Sequence, residues 1–266
     1  MAGLEPAVAA GLVLLAVAAG IGITAVGPGG VLITVGLFAF TGLPPARVAG
    51  TAIVTNVATG VLGTAVYTRS GQLREPRTRR TAALLAVAAL VGTPLGVLAN
   101  GLVTGRAFGV LLGVFIALVA VLVLRRRPPD AGGTGPGNRT GDGDGAGRGI
   151  GWPAAVAVGA GVAAVGAMFG VGGPLLSVPL LIALGMPVLP ALAAAQAQSV
   201  VIAAAGTAGY VAAGAVDWRL AALLGVPELA GVLAGWVIAR AVPAAALKGA
   251  LVVCLLVLAP YVALHG

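Results

Sequence analysis

From Thr81 to Gly101 the chain reads TAALLAVAALVGTPLGVLANG, without one ionisable side chain. About 20 apolar residues carry an α-helix across the hydrocarbon core of a bilayer. Similar runs occupy 46–68, 106–124 and 190–213, and 219–241 and 243–264 are long enough although they hold charges or prolines. The 266 residues are 59% hydrophobic and 8% charged, whereas a soluble domain carries roughly 25% charged residues. No soluble core of this size hides so much apolar surface, so the solvent has to be lipid. Backbone amides in lipid must be satisfied within the protein, and runs of this length do so as helices. The expectation is an all-α polytopic protein of the cell (inner) membrane, crossing it several times, with the bilayer as a partner.

The formal charge of +8 invites a nucleic-acid reading, but the placement of the charges opposes it. Arg69, Arg74, Arg77, Arg79 and Arg80 lie in one short polar segment, and Arg125, Arg126, Arg127, Arg139 and Arg148 in another. Neither is interleaved with aromatic residues. Basic clusters beside apolar spans are held in the cytoplasm by the positive-inside rule, so no nucleic-acid partner is expected. The second cluster belongs to RRRPPDAGGTGPGNRTGDGDGAGRG, a stretch without packing residues that reads as a flexible linker. It divides the chain into 1–124, a linker at 125–151 placed in the cytoplasm, and 152–266. The N-terminus carries Glu5 and no basic region, so it reads as a first membrane segment and not a cleaved signal.

The two halves read as copies. A shift of 143 places Gly27, Gly29 and Gly30 on Gly170, Gly172 and Gly173, and Gly42 and Pro44 on Gly185 and Pro187. It also pairs Gly63 and Thr64 with Gly206 and Thr207, Tyr67 with Tyr210, and Gly71 with Gly214. The later helices match only after a shift of one helical turn, which sets GTPLG at 92–96 against GVLAG at 231–235. Each half therefore holds about four membrane segments. Whether the copies run parallel or inverted is open at this level, with inversion mildly favoured by Arg240 and Lys248.

Each half opens on a segment too long for one plain helix, 7–41 and 152–184, broken by VGPGG and GVGGP. Such paired glycine breaks are the best sequence pointer to a transporter's binding site. A helix that restarts after Gly30 or Gly173 aims unpaired N–H groups and its positive dipole end at the break, which suits an anion. The expected binding residues are Gly27, Gly29 and Gly30 with Gly170, Gly172 and Gly173. Packing of small residues is the competing use of so many glycines. The helices that follow add neutral polar groups: Thr51, Thr55 and Asn56 in the first half, Gln196, Gln198 and Ser199 in the second. Neutral groups hold an anion and still release it; interhelical hydrogen bonding is the alternative use.

Glu228, after Pro227 and near the centre of 219–241, is the carboxylate hardest to place in lipid. It is the candidate for coupling a proton to transport, with a pairing to Arg219 or Arg240 as the alternative; a coupling proton or other ion is a possible partner of the chain. Arg47 reads as an interfacial snorkelling arginine, and Trp152, Trp218, Tyr67 and Tyr210 as interface anchors. Cys254 and His265 are each the single residue of their type. With no HExxH, and with Pro174 where a phosphate loop needs lysine, no enzyme, catalytic residue, metal or cofactor is expected. Energy then comes from an ion gradient or from the substrate's own gradient.

The chain resembles the TauE/SafE family of sulfite and organosulfonate exporters. The residues that carry this are GPGGVLITVGLF at 27–38, GVGGPLLSVPLL at 170–181, VAGTAIVTN at 48–56, and Gly214, Val216, Asp217 and Trp218. The resemblance implies an all-helical carrier of small sulfur-containing or carboxylated anions, and the paired glycine breaks suggest that it works by alternating access about a site at the repeat interface. Ala194 stands where the first half has Thr51, so such a site is asymmetric in its side chains. A passive anion channel and a non-transporting membrane scaffold are the alternatives, and a homo-oligomer is left open.

Overall fold

The computed structural model describes residues 5–25, 29–69, 71–125 and 151–241, and scattered positions from 249 to 260. Gly27, the body of the linker, Cys254 and most of the expected span at 243–264 lie outside the described residues. All regular structure among the described residues is helical. The elements are α1 (Pro6–Ala25), α2 (Val31–Thr41), α3 (Pro45–Arg69), α4 (Pro76–Gly101), α5 (Gly105–Arg125), α6 (Trp152–Phe169), α7 (Pro174–Ala183), α8 (Val188–Ala212) and α9 (Trp218–Ala241), with a 3-10 turn at Gln72–Arg74. Six of them, α1, α3, α4, α6, α8 and α9, are long and apolar enough to cross a membrane.

Local chemistry explains the breaks. Helix α6 stops at Gly170, whose φ of +70° is left-handed, while the N–H groups of Gly170 and Val171 donate back to Ala167 and Gly166. That is a Schellman end, and glycine takes its conformation without the Cβ penalty. Pro174 then opens α7, where its missing N–H and fixed φ are tolerated. Helix α4 begins earlier than the apolar run suggests. Pro76 starts it and the Thr78 hydroxyl donates to Glu75, so Arg77, Arg79 and Arg80 form its first turn.

Helix α3 spans 45–69 and α8 spans 188–212, so both ends differ by 143. The two helices lie side by side and antiparallel. Gly50 meets Tyr210, Ile53 meets Gly206, Gly60 meets Val200 and Gly63 meets Gln196. Short helix α2 starts at Gly30 beside Asn56, halfway along α3, and runs back along α1, with Gly36 against Leu12 and Leu15. Helix α7 starts beside Gln198 and Ile202, halfway along α8. Each broken segment is thus a hairpin that turns back at the mid-height of the α3–α8 pair.

The halves interlock. Helix α4 packs most extensively on α6 and then α8, while α9 packs on α1 and then α3. Small residues let these backbones touch, as is usual where lipid offers no hydrophobic drive for helix association. Along α4 the buried face is Ala82, Leu85, Ala88, Ala89, Gly92, Thr93, Gly96 and Asn100, and Val87, Leu90, Val91, Leu95 and Leu98 point outward. Small residues inside and large ones outside reverse the pattern of a soluble bundle.

Candidate functional site: a pocket between two helix breaks

The starts of α2 and α7 meet at one pocket. It is lined by Ile23, Gly30, Asn56, Thr59, Val171, Gly172, Pro174, Leu175, Gln196 and Ser199, and its cavity volume is about 20 Å³. Neither helix start has a side-chain cap. Pro174 has no N–H, and the amides of Leu32, Leu176 and Ser177 donate to Gly29 O and Gly173 O, so few backbone donors are left at the two starts; those few sit where the helix dipole favours negative charge.

Asn56 organises both breaks. Its Nδ2 donates to Ala52 O at 3.2 Å and to Gly170 O at 3.1 Å, across the chain from one half to the other. With both amide hydrogens committed to carbonyls, Oδ1 faces Gly30, where a Cβ would lie 3.1 Å away, and Gly172, where it would lie 3.6 Å away. Asn56 therefore builds the pocket and shows it an acceptor. The Thr59 hydroxyl is spent on Asn56 O at 3.2 Å. The donors left for an anion are the Ser199 hydroxyl, 3.0 Å from a Cβ placed on Gly172, the Gln196 amide, and the backbone N–H groups of the breaks.

Of the residues expected from sequence, Gly30, Asn56, Gly172, Gln196 and Ser199 line the pocket. Gly27 is outside the described residues, and the others lie elsewhere. Gly29 is pressed on α1, where a Cβ would come within 2.0 Å of Ala19 O. Gly170 is pressed on α3, 2.3 Å from Ala49 O by the same measure. Gly173 caps α7 against Ile202. Thr51 accepts from the Asp217 N–H at 3.0 Å, and Asp217 in turn caps α9 by accepting from Arg219 and Leu220. Gln198 accepts from Ser177 and donates to Gly159 O at 2.9 Å, which ties α8 to α7 and α6. Thr55 donates to Ala52 O at 2.9 Å and looks toward Glu228. Thr59 was missed, although it sits one helical turn past Thr55 on the same face.

A sequence profile of the sulfite exporter TauE/SafE family matches residues 12–263. The chain belongs to that family. Neither a comparison with curated proteins nor one with solved structures returns a match. As a TauE/SafE member with six helices fit to cross a bilayer, it is a multi-pass membrane transporter. The family's small anionic cargo agrees with a pocket flanked by two uncapped helix starts. Among the described residues no group of three His, Cys, Asp or Glu side chains comes together as a metal site.

Proposed function

We propose that this TauE/SafE member is a secondary transporter that exports a small anion such as sulfite or an organosulfonate across the cell membrane. The observation that carries the reading is the convergence of Gly30 and Gly172, at two uncapped helix starts, on one pocket with Ser199 and Gln196. The backbone amides left free at the breaks, the Ser199 hydroxyl and the Gln196 amide supply the donors. The antiparallel α3–α8 pair supports reading the halves as inverted copies, with the pocket at their interface. Inversion puts the end of α9, with Arg240, on the face of Arg69, Arg77 and the linker, which the positive-inside rule makes cytoplasmic.

Alternating access then rocks the interlocked halves about the pocket. One end of the α3–α8 pair is tightly packed: a Cβ on Gly50 would lie 2.2 Å from Ala215 O and 2.9 Å from Tyr210 Cβ. This packing supports a carrier over an open channel. Counterflow in proteoliposomes tests this. Vesicles preloaded with sulfite should transiently accumulate labelled sulfite, saturably, and Gly172→Val should abolish the overshoot. Flux that is linear in sulfite, without counterflow, would favour a channel; no flux with any sulfur oxyanion, sulfonate or small carboxylate would favour a scaffold.

A further inference from the structure

Glu228 lies on α9 with 0% of its surface exposed, and neither carboxyl oxygen has a hydrogen-bond partner. It is the one ionisable residue among the buried, unpartnered side chains of the described region. A buried charge without a donor costs several kcal/mol, and nothing packed against Glu228 offers compensation. Helix α1 carries no titratable residue between 6 and 25, and its Gly20 touches the Glu228 backbone, where a Cβ would lie 2.0 Å from the carbonyl oxygen. On α3 the nearest titratable groups are the exposed Arg47, eight positions before Thr55, and Tyr67, twelve after it. Eight helical residues span about 12 Å. Arg219, at the start of α9, and Arg106, at the start of α5, are both exposed. Arg240 is twelve positions further along α9, and Arg125 ends α5.

The Thr55 side chain faces the carboxyl, and its own hydrogen goes to Ala52 O. Thr55 therefore has lone pairs and no proton to give. A carboxylate finds no donor there, whereas a carboxylic acid finds an acceptor. The position also touches the pocket's frame. Thr55 precedes Asn56 and lies one turn before Thr59, and Gly20 lies one turn before Ile23. Asn56, Thr59 and Ile23 all line the pocket. The residues that face Glu228 thus lie within one helical turn of residues in the pocket wall.

We propose that Glu228 binds and releases the proton that drives anion transport, with the Thr55 hydroxyl oxygen as the acceptor that faces it. The proposal rests on the transport reading above. No covalent step is involved: the O–H bond forms while the carboxyl is reachable from one face, the α1–α9 crossing carries it past, and the proton returns to water on the other face. Anion occupancy biases this exchange through α3, whose Asn56 and Thr59 border the pocket one step from Thr55.

Glu228→Gln keeps the shape and removes the titration. In proteoliposomes with sulfite, the wild type should respond to an imposed pH gradient, and Glu228→Gln should lose that response by about tenfold or more, in the range of a coupling between two sites. Its sulfite counterflow at symmetrical pH should persist, which separates this claim from the transport claim. A full pH-gradient response in Glu228→Gln overturns the proposal. So does joint loss of response and counterflow in folded protein, because Glu228 would then serve the pocket itself. A readout independent of flux is the carboxylic-acid stretch in the infrared spectrum of purified protein. A band present in the wild type and missing from Glu228→Gln supports the bound proton, and its absence from the wild type overturns it.

Discussion

Two helix crossings in this molecule make the same contact with different contents. Where α4 crosses α6, a Cβ on Gly92 would lie 2.2 Å from Ala160 O; where α9 crosses α1, a Cβ on Gly231 would lie 2.3 Å from Val17 O. Ala160 and Val17 are 143 apart, and Gly92 and Gly231 are 139 apart. The same contact thus recurs with a shift of one helical turn, as the GTPLG and GVLAG segments suggest. In that register Ala89 corresponds to Glu228, and Ala163 to Gly20. At the matching place in the first crossing, Ala89 and Ala163 are buried in one apolar cluster. The second puts a buried carboxyl in the place of a methyl group. Small residues suffice to hold such a crossing, so packing alone does not call for Glu228.

The largest effect should come from breaking either crossing. Gly20→Leu and Gly92→Leu each force a side chain into opposing backbone 2.0 Å and 2.2 Å away, where no rotamer relieves the clash. Overpacking of ordinary core side chains costs about 1–3 kcal/mol, and backbone yields less. Neither variant should give a single species on size exclusion in detergent. If one crossing accepts leucine and the other does not, the match between them fails.

Next in size is a variant that touches neither crossing. Gly172→Val projects into the pocket toward Ser199 and should abolish sulfite counterflow while protein level and elution stay normal. Gly173→Val meets the Ile202 methyl instead, at 3.0 Å for its Cβ, and should keep measurable transport at some loss of stability. Equal loss of transport in both would mean that the helix break, and not the pocket face of Gly172, is what the anion needs.

Much of this was legible in the sequence because lipid narrows the choices. Apolar runs must be helices, paired glycine breaks must be buried, and the five of the twelve expected binding residues that line the pocket come from those breaks and the helices after them. The side-chain roles were not legible. Thr51, Gln198 and Asn56 look alike as neutral polar residues on the helices after the breaks, yet one holds the Asp217 loop, one ties three helices, and one spends its donors on backbone carbonyls. Periodicity tells which face a residue is on; the partner across that face depends on how the halves interlock. How the two halves run relative to one another was illegible for a similar reason, since two hairpins that turn back at mid-height conserve length and hydropathy whichever face they enter from.

A smaller effect is expected when the second crossing is made to resemble the first. Glu228→Ala restores the apolar content found at Ala89, and Gly20 leaves room for it. The variant should fold, with a melting temperature no lower than the wild type's, because an unpartnered buried polar group is removed. Its response to a pH gradient should vanish as in Glu228→Gln. Marked destabilisation would show that the carboxyl is a structural element of the crossing.

The smallest effect concerns a hydrogen bond that only one half possesses. Thr51 accepts from the Asp217 N–H, whereas 143 positions later Ala194 has no hydroxyl, and the counterpart of Asp217 is Arg74 in the 3-10 turn. Thr51→Val keeps the shape and removes the acceptor. Side-chain hydrogen bonds in membrane bundles average about 0.6 kcal/mol, which amounts to roughly 1–2 °C of melting temperature for a chain of this size. Sulfite counterflow should stay within about twofold, since 0.6 kcal/mol is less than a factor of three in any equilibrium. Complete loss of transport in a stably folded Thr51→Val would put this hydroxyl back among the anion's ligands, where its spacing from Thr55 first suggested it, and would mean that the α3–α9 joint opens during the cycle to deliver it.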